Sequence, residues 1–359
     1  MKNNSRIEQV IHNMKAEGLD QILITSTPSI FYLTGLWIEP HERMLAVRLT
    51  VDGNLTLCGN ELFAIDTASC DFNCLLHTDS DNPIVDLVRL ISPGTIGIDK
   101  FWPANFLLPL IASRADISPR LGSGPIDKAR MYKDSAEIEL IRHASKINDR
   151  AVEAAISQLQ DGVSEKELAA FLQDFYSSMG ADFPIGTQLV CFGANASDPH
   201  HSPTGDVIKS GDCALFDIFT TINRYWCDMT RTVYFRSISK EQEKVYEIVR
   251  EANQAAIDFI RPGVHMWEID KIARDIITEH GYGPKFIHRL GHGCGIECHE
   301  SPNCSSVSDE IVAPGMVFSI EPGIYLEGRH GVRIEDLVLV TETGCEVLNA
   351  YTKKLQVIG

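Results

Sequence analysis

The sequence predicts an α+β protein of two domains, a smaller α/β domain followed by a larger domain made of two similar halves. With 359 residues the chain exceeds a single domain, for which about 100–200 residues are typical. Strand-like apolar runs alternate with amphipathic helical patterns in the first third of the chain, as in an α/β domain. In the remainder the order helix, helix, hairpin occurs twice, which predicts duplicated halves with a pseudo-twofold relation.

The first predicted domain comprises residues 1–125. Residues 5–20 have the periodicity of an amphipathic helix, and the short apolar run QILITS that follows is typical of a strand. Further strands are predicted at MLAVRLTV, NLTLC and TIGID, and a helix at NPIVDLVRLIS. The segment SPRLGSGPIDKARMYKD, rich in Gly, Pro, Ser and charge, interrupts this pattern. We therefore predict the domain boundary there, with residues 126–359 as the second domain.

The second predicted domain begins with two helices. Apolar residues recur three and four apart in AEIELIRHASKINDRAVEAAISQL, and the next helix follows Gly162, where Ser164 and Glu167 have the spacing of a capping box. The strands TQLVCF, CALFDIFTT and RYWCDMTRTVYF complete the first half. The second half has the helices EQEKVYEIVREANQAAIDFI and MWEIDKIARDIITEHG, followed by the strands VFSIEPGIYL and GVRIEDLVLVT.

Composition excludes several classes of partner. The formal net charge of −17 opposes binding to phosphate backbones or anionic lipids. The polar first residues lack the apolar core of a secretory signal, and no run approaches the roughly 20 apolar residues of a membrane span. The ten cysteines include no CxxC pair, which argues against a zinc ribbon or a disulfide scaffold. We expect a cytoplasmic protein with reduced thiols that binds neither nucleic acid nor membrane.

Each predicted hairpin of the second domain carries a pair of acids. Asp217 interrupts the apolar run ALFDIF, and Asp228 interrupts YWCDMTRTV. If this hairpin closes about Ile222 and Asn223, the two aspartates lie opposite each other on one side of the ribbon.

The second hairpin repeats the arrangement. Glu321 in VFSIEPG and Glu335 in GVRIED are equidistant from Gly328 in the turn LEGRHG. Opposed side chains in a ribbon have Cβ atoms about 4.5–5.5 Å apart, and like charges at that separation are destabilising.

Four carboxylates in apolar strands require a compensating charge, because a buried unpaired charge is strongly disfavoured. A divalent cation between them supplies it. Since four carboxylates would overcharge one ion, a pair of cations bridged by shared carboxylates fits better. The alternative is that each acid is exposed on a strand edge or paired with an arginine, namely Arg231, Arg329 or Arg333.

A glycine-rich segment, HRLGHGCGIECHE, supplies His288, His292 and His299. Its glycines permit a tight backbone path that we do not expect in a helix or strand. The zinc-protease motif H-E-x-x-H is missing, as are a Walker lysine and a G-x-G-x-x-G loop, so thermolysin-type chemistry and phosphate binding are disfavoured. Upstream, GANASDPHHSP contributes His200 and His201, and we expect His201 to be a surface or satisfied core residue.

Five blocks resemble those of the pita-bread metallopeptidases, in the branch of Xaa-Pro aminopeptidases and Xaa-Pro dipeptidases (prolidases). They are PHHSPT, LFDIFTTINRYWCDMTRT, HRLGHGCGIECHE, SIEPGIY and GVRIEDLVLV. Near the N-terminus, FYLTGLW resembles the creatinase/prolidase-like N-terminal domain of that branch, so the likeness covers nearly the whole chain. The resemblance implies a pita-bread catalytic domain that hydrolyses the peptide bond between an N-terminal residue and proline.

The resemblance also implies roles for individual residues. The metal ligands fall on Asp217, Asp228, His292, Glu321 and Glu335. In this family Asp228 and Glu335 would bridge the two ions. His200 and His299 match catalytic histidines that contact the reacting carbonyl, and Glu321 would carry the proton. His288 and Arg333 match residues that line the substrate site.

Two divalent metal ions are therefore the expected cofactor. Carboxylates with one imidazole suit manganese, with cobalt, iron and zinc as alternatives. The expected substrate is a peptide with proline at its second position. The family commonly forms homodimers in which the neighbouring N-terminal domain helps to close the pocket.

Three positions depart from the family pattern. Phe219 stands where a glycine commonly follows the first metal-binding aspartate, and Asp198 stands where leucine is frequent. Asn303 occupies a position where some dipeptidases carry an arginine for the substrate carboxylate. This last difference favours an aminopeptidase.

Three alternatives use the same fold. A methionine aminopeptidase would not usually carry a domain such as residues 1–125. Creatinase-like hydrolases that work without metal have lost the ligand set, which is complete here. A binding protein that does not catalyse would have no need of four metal-suited acids together with a ligand histidine.

Overall fold

The computed structural model describes residues 2–182 and 187–359. Its helices are α1 Asn4–Ala16, α2 Thr27–Thr34, α3 Pro83–Leu90, α4 Ala104–Ser113, α5 Gly124–Met131, α6 Ser135–Ser157, α7 Glu165–Ser178, α8 Lys240–Phe259 and α9 Met266–Glu279. Its strands are β1 Gln21–Ile24, β2 Ala46–Thr50, β3 Leu55–Asn60, β4 Asn73–His77, β5 Gly94–Ile98, β6 Ile117–Leu121, β7 Leu189–Phe192, β8 Cys213–Ile222, β9 Tyr225–Phe235, β10 Gly291–Gly293, β11 Glu300–Cys304, β12 Val317–Ile320, β13 Gly323–Leu326, β14 His330–Arg333, β15 Asp336–Val340, β16 Cys345–Val347 and β17 Val357–Ile358.

The chain divides into two compact units, Met1–Arg130 and Met131–Gly359. Both units combine helices with strands, in agreement with the predicted α+β class. All ten cysteines are free thiols. Within the part of the chain that the structure describes, no helix has the length and apolar character that crossing a bilayer requires.

The first unit is built on a six-stranded sheet in the order β4-β3-β2-β1-β5-β6. The strands are parallel except that β2 runs antiparallel to both of its neighbours. Helices α3 and α4 bury Ile84, Leu87 and Leu110 in a core with Leu23 of β1 and Ile96 of β5. The predicted elements α1, β1, β2, β3, α3 and β5 are all present.

The segment that we predicted to interrupt the first domain is instead largely regular, because it contains most of β6 and the whole of α5. Pro119 is tolerated in β6 because this strand lies at the edge of the sheet and one side of it makes no ladder hydrogen bonds. Pro125 is tolerated as the second residue of α5, because the first N–H groups of a helix have no partner within the helix.

The second unit repeats the order helix, helix, hairpin, as predicted. In the first half, α6 begins with a capping box of Asp134 and Glu137, and α7 begins with the predicted capping box of Ser164 and Glu167. Its strands form a sheet in the order β17-β9-β8-β7. In the second half, α8 and α9 precede a five-stranded sheet in the order β11-β10-β12-β15-β16 and the two-stranded ribbon β13-β14.

A buried asparagine on the first helix of each half contacts the strand that carries the acids. Asn148 of α6 donates through Nδ2 to the carbonyl of Ile218 at 2.8 Å. Asn253 of α8 donates through Nδ2 to the carbonyls of Ile320 at 2.9 Å and Ile334 at 3.3 Å. These carbonyls belong to residues adjacent to three of the four acids. The two halves therefore position their acids by the same device.

Candidate metal centre

The first acid pair lies on the ribbon of β8 and β9. Asp217 is opposite Thr230, and Asp228 is opposite Phe219. Alternate residues of a strand share a face, so Asp217 and Asp228 are diagonal neighbours on the same face rather than directly opposed. The predicted direct opposition is wrong, whereas the shared face is confirmed.

The error comes from the turn. The two residues that link the strands are Asn223 and Arg224, with φ of 48° and 70°, instead of Ile222 and Asn223. A turn with two positive φ values favours asparagine at its first position, and a β-branched residue such as Ile222 is poorly tolerated there. The turn therefore lies one residue later than predicted, and the pairing partner of each acid moves by two.

The second acid pair lies on the ribbon that runs from β12–β15 into β13–β14. Both pairings have one register, centred on Gly328, which places Glu321 across from Glu335 as predicted. The ladder is interrupted at this pair, where Pro322 has no N–H to donate.

Glu335 connects the second ribbon to the first. Its backbone N–H donates to the carbonyl of Thr230 at 3.0 Å, and the hydroxyl of Thr230 donates to Oε2 of Glu335 at 2.7 Å. Since Thr230 is the residue opposite Asp217, these two bonds bring the two acid pairs to one place.

His292 lies on β10, which is confined between β11 and β12. A Cβ atom on Gly291 would meet the carbonyl oxygen of Ser319 at 1.9 Å, and one on Gly293 would meet that of Ser301 at 2.2 Å. The glycines are thus required by close approach of neighbouring strands. The expectation that this segment avoids strand structure is wrong for residues 291–293.

All nine predicted site residues line one cavity of about 790 Å³. They are His200, Asp217, Asp228, His288, His292, His299, Glu321, Arg333 and Glu335. The structure therefore brings together every side chain that the sequence singled out for the site.

One compact donor group in the cavity consists of Asp228, His292 and Glu335. One ligand atom from each lies within 4.8 Å of the other two, and all three residues are buried. Oδ1 of Asp228 and Oε1 of Glu335 are buried and have no hydrogen-bond partner among the described residues. An unsatisfied buried acceptor is destabilising, and a bound divalent cation would supply a partner for such oxygens. The donor set thus fits the expected ions.

The imidazole of His292 is oriented as a ligand. Its Nδ1 faces the carbonyl of Gly293 at 3.2 Å, so Nδ1 carries the proton and Nε2 keeps its lone pair. Nε2 lies 3.3 Å from Oε1 of Glu321 and 3.8 Å from Oδ2 of Asp228. Burial lowers the pKa of His292 to about 3, which keeps the ring neutral and able to bind a metal.

The carboxylates repel one another. Burial raises the pKa of Asp228 well above its usual range, and the charge of Asp217 raises it further. Burial likewise raises the pKa of Glu335, with Asp228 as the next cause. The pKa of Glu321 is raised to about 7 by burial, against the opposing charge of Arg333. A bound cation lowers the pKa of all such groups, because it stabilises their charged forms.

Asp217 differs from the other three acids. Its Oδ2 accepts a hydrogen bond from Nη2 of Arg333 at 2.5 Å, so the arginine-paired alternative holds for this residue. The other two candidate arginines pair elsewhere, Arg231 with Asp336 and Arg329 with Glu241. The compact donor group does not include Asp217 or Glu321.

Two of the other histidines are held inside the cavity. The ring centres of His299 and His292 are 4.0 Å apart. Nδ1 of His288 lies 2.7 Å from the carbonyl oxygen of Arg289, and Nε2 lies 2.9 Å from the hydroxyl oxygen of Tyr325. Nδ1 of His288 therefore carries the proton, and Nε2 accepts from Tyr325. Burial lowers the pKa of His288 to about 4, so this ring is neutral.

The two neighbouring histidines of GANASDPHHSP have different surroundings. His200 lines the cavity with an exposed side chain. Nε2 of His201 lies 2.9 Å from Oε2 of Glu165, which is fully buried. His201 is thus a partly buried residue with a hydrogen-bond partner, and it has the structural role that we expected.

Sequence reasoning missed Arg289, which lines the cavity, and Tyr325, which contacts two of the residues that line it. Tyr325 accepts from Nη1 of Arg333 at 2.8 Å and so links Arg333 to His288. Arg289 lines the cavity and donates to the side chain of Asn303. A guanidinium therefore lies beside Asn303, the position at which some dipeptidases carry an arginine. The signals were present, since Tyr325 lies in the quoted block SIEPGIY and Arg289 lies between two site histidines. Asp198 and Phe219, two of the departures from the family pattern, also line the cavity.

Both units of the chain are similar to known proteins. The model of metallopeptidase family M24 matches residues 139–342, and that of the creatinase/prolidase N-terminal domain matches residues 6–132. An uncharacterized peptidase from Staphylococcus haemolyticus (strain JCSC1435) is 37% identical over 358 residues, covering 97% of this chain and 100% of the relative. Recombinant prolidase from Thermococcus sibiricus has a TM-score of 0.94 at 33% identity over 100% of both chains. Xaa-Pro dipeptidase from Bacillus anthracis has a TM-score of 0.88 at 28% identity over 99% of both chains.

Proposed function

Because this chain belongs to metallopeptidase family M24 and carries a creatinase/prolidase N-terminal domain, we propose that it hydrolyses the peptide bond between an N-terminal residue and proline. The observation that carries the proposal is the single cavity lined by all nine predicted site residues. The prolidase of Thermococcus sibiricus and the Xaa-Pro dipeptidase of Bacillus anthracis, similar along their whole length, support the same substrate class.

The proposed cofactor is a pair of divalent metal ions, preferably Mn²⁺. The ligands would be Asp217, Asp228, His292, Glu321 and Glu335, with Asp228 and Glu335 shared. Bound divalent ions lower the pKa of water and polarise a carbonyl oxygen. The unsatisfied oxygens of Asp228 and Glu335 and the neutral Nε2 of His292 support this assignment.

Glu321 is the proposed proton carrier. Its carboxylate accepts from the hydroxyl of Ser319 at 3.1 Å and lies beside His292, within the cavity. Burial raises its pKa to about 7 in the metal-free site, and a bound cation would lower that pKa, so the position of the carboxylate supports the role rather than this value. It would take a proton from the attacking water and deliver it to the leaving prolyl nitrogen.

His200 and His299 would stabilise the negative charge that develops on the carbonyl oxygen. Both line the cavity, and N–H donors directed at such an oxygen stabilise the transition state more than the ground state. His288 and Arg333, joined through Tyr325, would hold the substrate.

The apolar walls of the cavity support a proline ring as the group to be recognised. The bond before proline has no N–H, so recognition rests on the ring and on the free amino end of the substrate. Phe219 and Trp226, whose ring centres are 5.9 Å apart, provide an apolar surface together with Leu189 and Ile287. The carboxylates of the site provide acceptors for the amino group.

The structure adds an argument for dipeptide substrates. Among the described residues that line the cavity, two carry a permanent positive charge, Arg289 and Arg333. Arg333 is paired with Asp217, whereas Arg289 donates to the neutral side chain of Asn303. Arg289 is therefore the better partner for the carboxylate of a free dipeptide, and this supports a dipeptidase over the aminopeptidase that Asn303 favoured.

The test is a substrate series assayed with Mn²⁺ after removal of bound metal by a chelator. We expect hydrolysis of Xaa-Pro dipeptides, slower hydrolysis of Xaa-Pro peptides with a longer tail, and none when alanine replaces proline. Cleavage of Met-Ala peptides at an equal rate would identify a methionine aminopeptidase instead. Activity that survives chelation would overturn the metal assignment.

A matched pair of variants separates the site from the rest of the surface. Glu335→Gln should abolish hydrolysis, because it removes a shared carboxylate. Glu342→Gln makes the same chemical change at an exposed position and should leave the rate unchanged. Equal rates in the two variants would contradict the role of Glu335.

The homodimer and the cytoplasmic location stay predictions. Light scattering of the purified chain tests the first, and cell fractionation tests the second.

A further inference from the structure

A second donor group shares Asp228 but includes a thiol. One ligand atom each from Asp228, Cys298 and His299 lies within 4.8 Å of the other two. The thiol of Cys298 donates to Oδ2 of Asp228 at 3.1 Å. Cys298 is not among the predicted metal ligands, and its side chain lines the same cavity.

The spacing of this group suits a small tetrahedral ion. Zinc bonds of about 2.3 Å to sulfur and about 2.0 Å to nitrogen or oxygen place neighbouring ligand atoms about 3.3–3.5 Å apart. The sulfur of Cys298 and Oδ2 of Asp228 already lie close to that separation. Oδ1 of Asp228 is buried and has no hydrogen-bond partner in the described part of the chain, so this carboxylate has an oxygen left for an ion.

The chemistry of the donors separates this group from the first one. Carboxylates with an imidazole suit Mn²⁺, whereas thiolate ligands select softer ions such as Zn²⁺ and Cd²⁺. When the ion binds, the bond from sulfur to metal replaces the S–H bond of Cys298, and the proton passes to solvent. No electrons are exchanged in this step.

We propose that Asp228, Cys298 and His299 form a thiolate site for a soft divalent cation, and that an ion bound there inhibits the enzyme. The inhibitory effect rests on the proposed function. Asp228 would be withdrawn from the carboxylate group that suits Mn²⁺, and His299 would be withdrawn from the substrate carbonyl. The binding itself does not depend on the proposed activity.

The test is a titration of the full chain with Cd²⁺ in the presence of Mn²⁺, followed by the near-ultraviolet absorption of thiolate-to-cadmium charge transfer. Cys298→Ser should lower the Cd²⁺ affinity that this band reports by at least about tenfold. Loss of a residue that only supports a metal ligand already costs about tenfold in affinity, and Cys298 would be a ligand itself. His299→Gln should lower the Cd²⁺ affinity in the same way while leaving the thiol in place. Cys345→Ser is the matched control, because Cys345 is a partly buried free thiol that does not line the cavity.

The proposal is overturned if the titration curve of Cys298→Ser superimposes on that of the wild type. A parallel assay measures the Zn²⁺ concentration that halves Xaa-Pro hydrolysis, which should rise at least about tenfold in Cys298→Ser. A chain that binds Cd²⁺ through Cys298 but does not cleave Xaa-Pro peptides would refute the proposed function alone. Cleavage with the same Zn²⁺ sensitivity in both proteins would refute the inhibitory site alone.

Discussion

Replacing Asp228 by asparagine separates the metal-binding role of this residue from any role in stability. Its carboxylate is buried, repelled by Asp217 and unsatisfied at Oδ1. Asparagine has nearly the same shape but no charge. Without divalent metal, Asp228→Asn should therefore be at least as stable as the wild type, because asparagine has no charged form for burial and Asp217 to disfavour.

With metal the order should reverse. A ligand that binds only the folded state at 100 times its Kd stabilises that state by about 2.7 kcal/mol. For a unit of the size of Met131–Gly359, about 2–4 °C in Tm per kcal/mol gives a rise of about 5–11 °C in the wild type. Asp228→Asn should lose most of this rise, together with its activity, because a shared ligand is missing.

Asp336→Asn is the matched control. Asp336 is also a fully buried aspartate, but it is paired with Arg231 at 2.7 Å and with Lys353 at 2.9 Å. Breaking a buried ion pair costs about 3–5 kcal/mol, and this loss should appear with and without metal. The two substitutions are chemically identical and should change the metal-free stability in opposite directions.

Thermal unfolding followed by circular dichroism, in a chelator and in Mn²⁺, measures both effects. The reasoning fails if Asp228→Asn gains as many degrees from Mn²⁺ as the wild type does. It also fails if the metal-free Asp228→Asn protein melts as far below the wild type as Asp336→Asn does.

Three further predictions concern pH and packing. In a chelator, Tm should rise as pH falls from 8 to 6.5, because folded Glu321, with a pKa of about 7, takes up a proton that the unfolded chain does not. Glu321→Gln should reduce the slope of Tm against pH, and an unchanged slope would contradict this assignment. His201→Ala should lower the free energy of unfolding by about 1–2 kcal/mol through its bond to Glu165, with kcat unchanged, and a large fall in kcat would give His201 a catalytic role. Asn253→Leu should lower the free energy of unfolding, measured by urea titration, by about 2–6 kcal/mol, because two buried carbonyls lose their donor. A loss below about 1 kcal/mol, the size of one ordinary hydrogen bond, would contradict the positioning role.

Local signals in the sequence predicted the elements that have local causes. The capping box of Ser164 and Glu167 was predicted and begins α7. The shared register of Glu321 and Glu335 was predicted from their equal distance to Gly328. The residues of the capping box lie three positions apart, and the two glutamates belong to one continuous ribbon.

The errors have non-local or stereochemical causes. The first hairpin was placed one residue too early because apolar pattern alone does not show which residues accept a positive φ, as Asn223 and Arg224 do. The glycines of β10 were taken for a loop because the sequence does not show which backbone lies against them, the carbonyl of Ser319 beside Gly291 and that of Ser301 beside Gly293.

The two residues that were missed, Arg289 and Tyr325, share a cause as well. Arg289 donates to Asn303, and the hydroxyl of Tyr325 contacts His288, so the partners of both residues lie elsewhere in the chain. The residue types were visible in the sequence, but these contacts were not.

The paired asparagines Asn148 and Asn253 show that the two halves of the second unit depend on each other. Each half brings one helix, one amide and one pair of acids, and neither pair alone makes the four-acid cluster. Loss of either half of the second unit would therefore remove two of the four acids together. The acids are arranged differently in the two halves, as diagonal aspartates on one ribbon and opposed glutamates on the other.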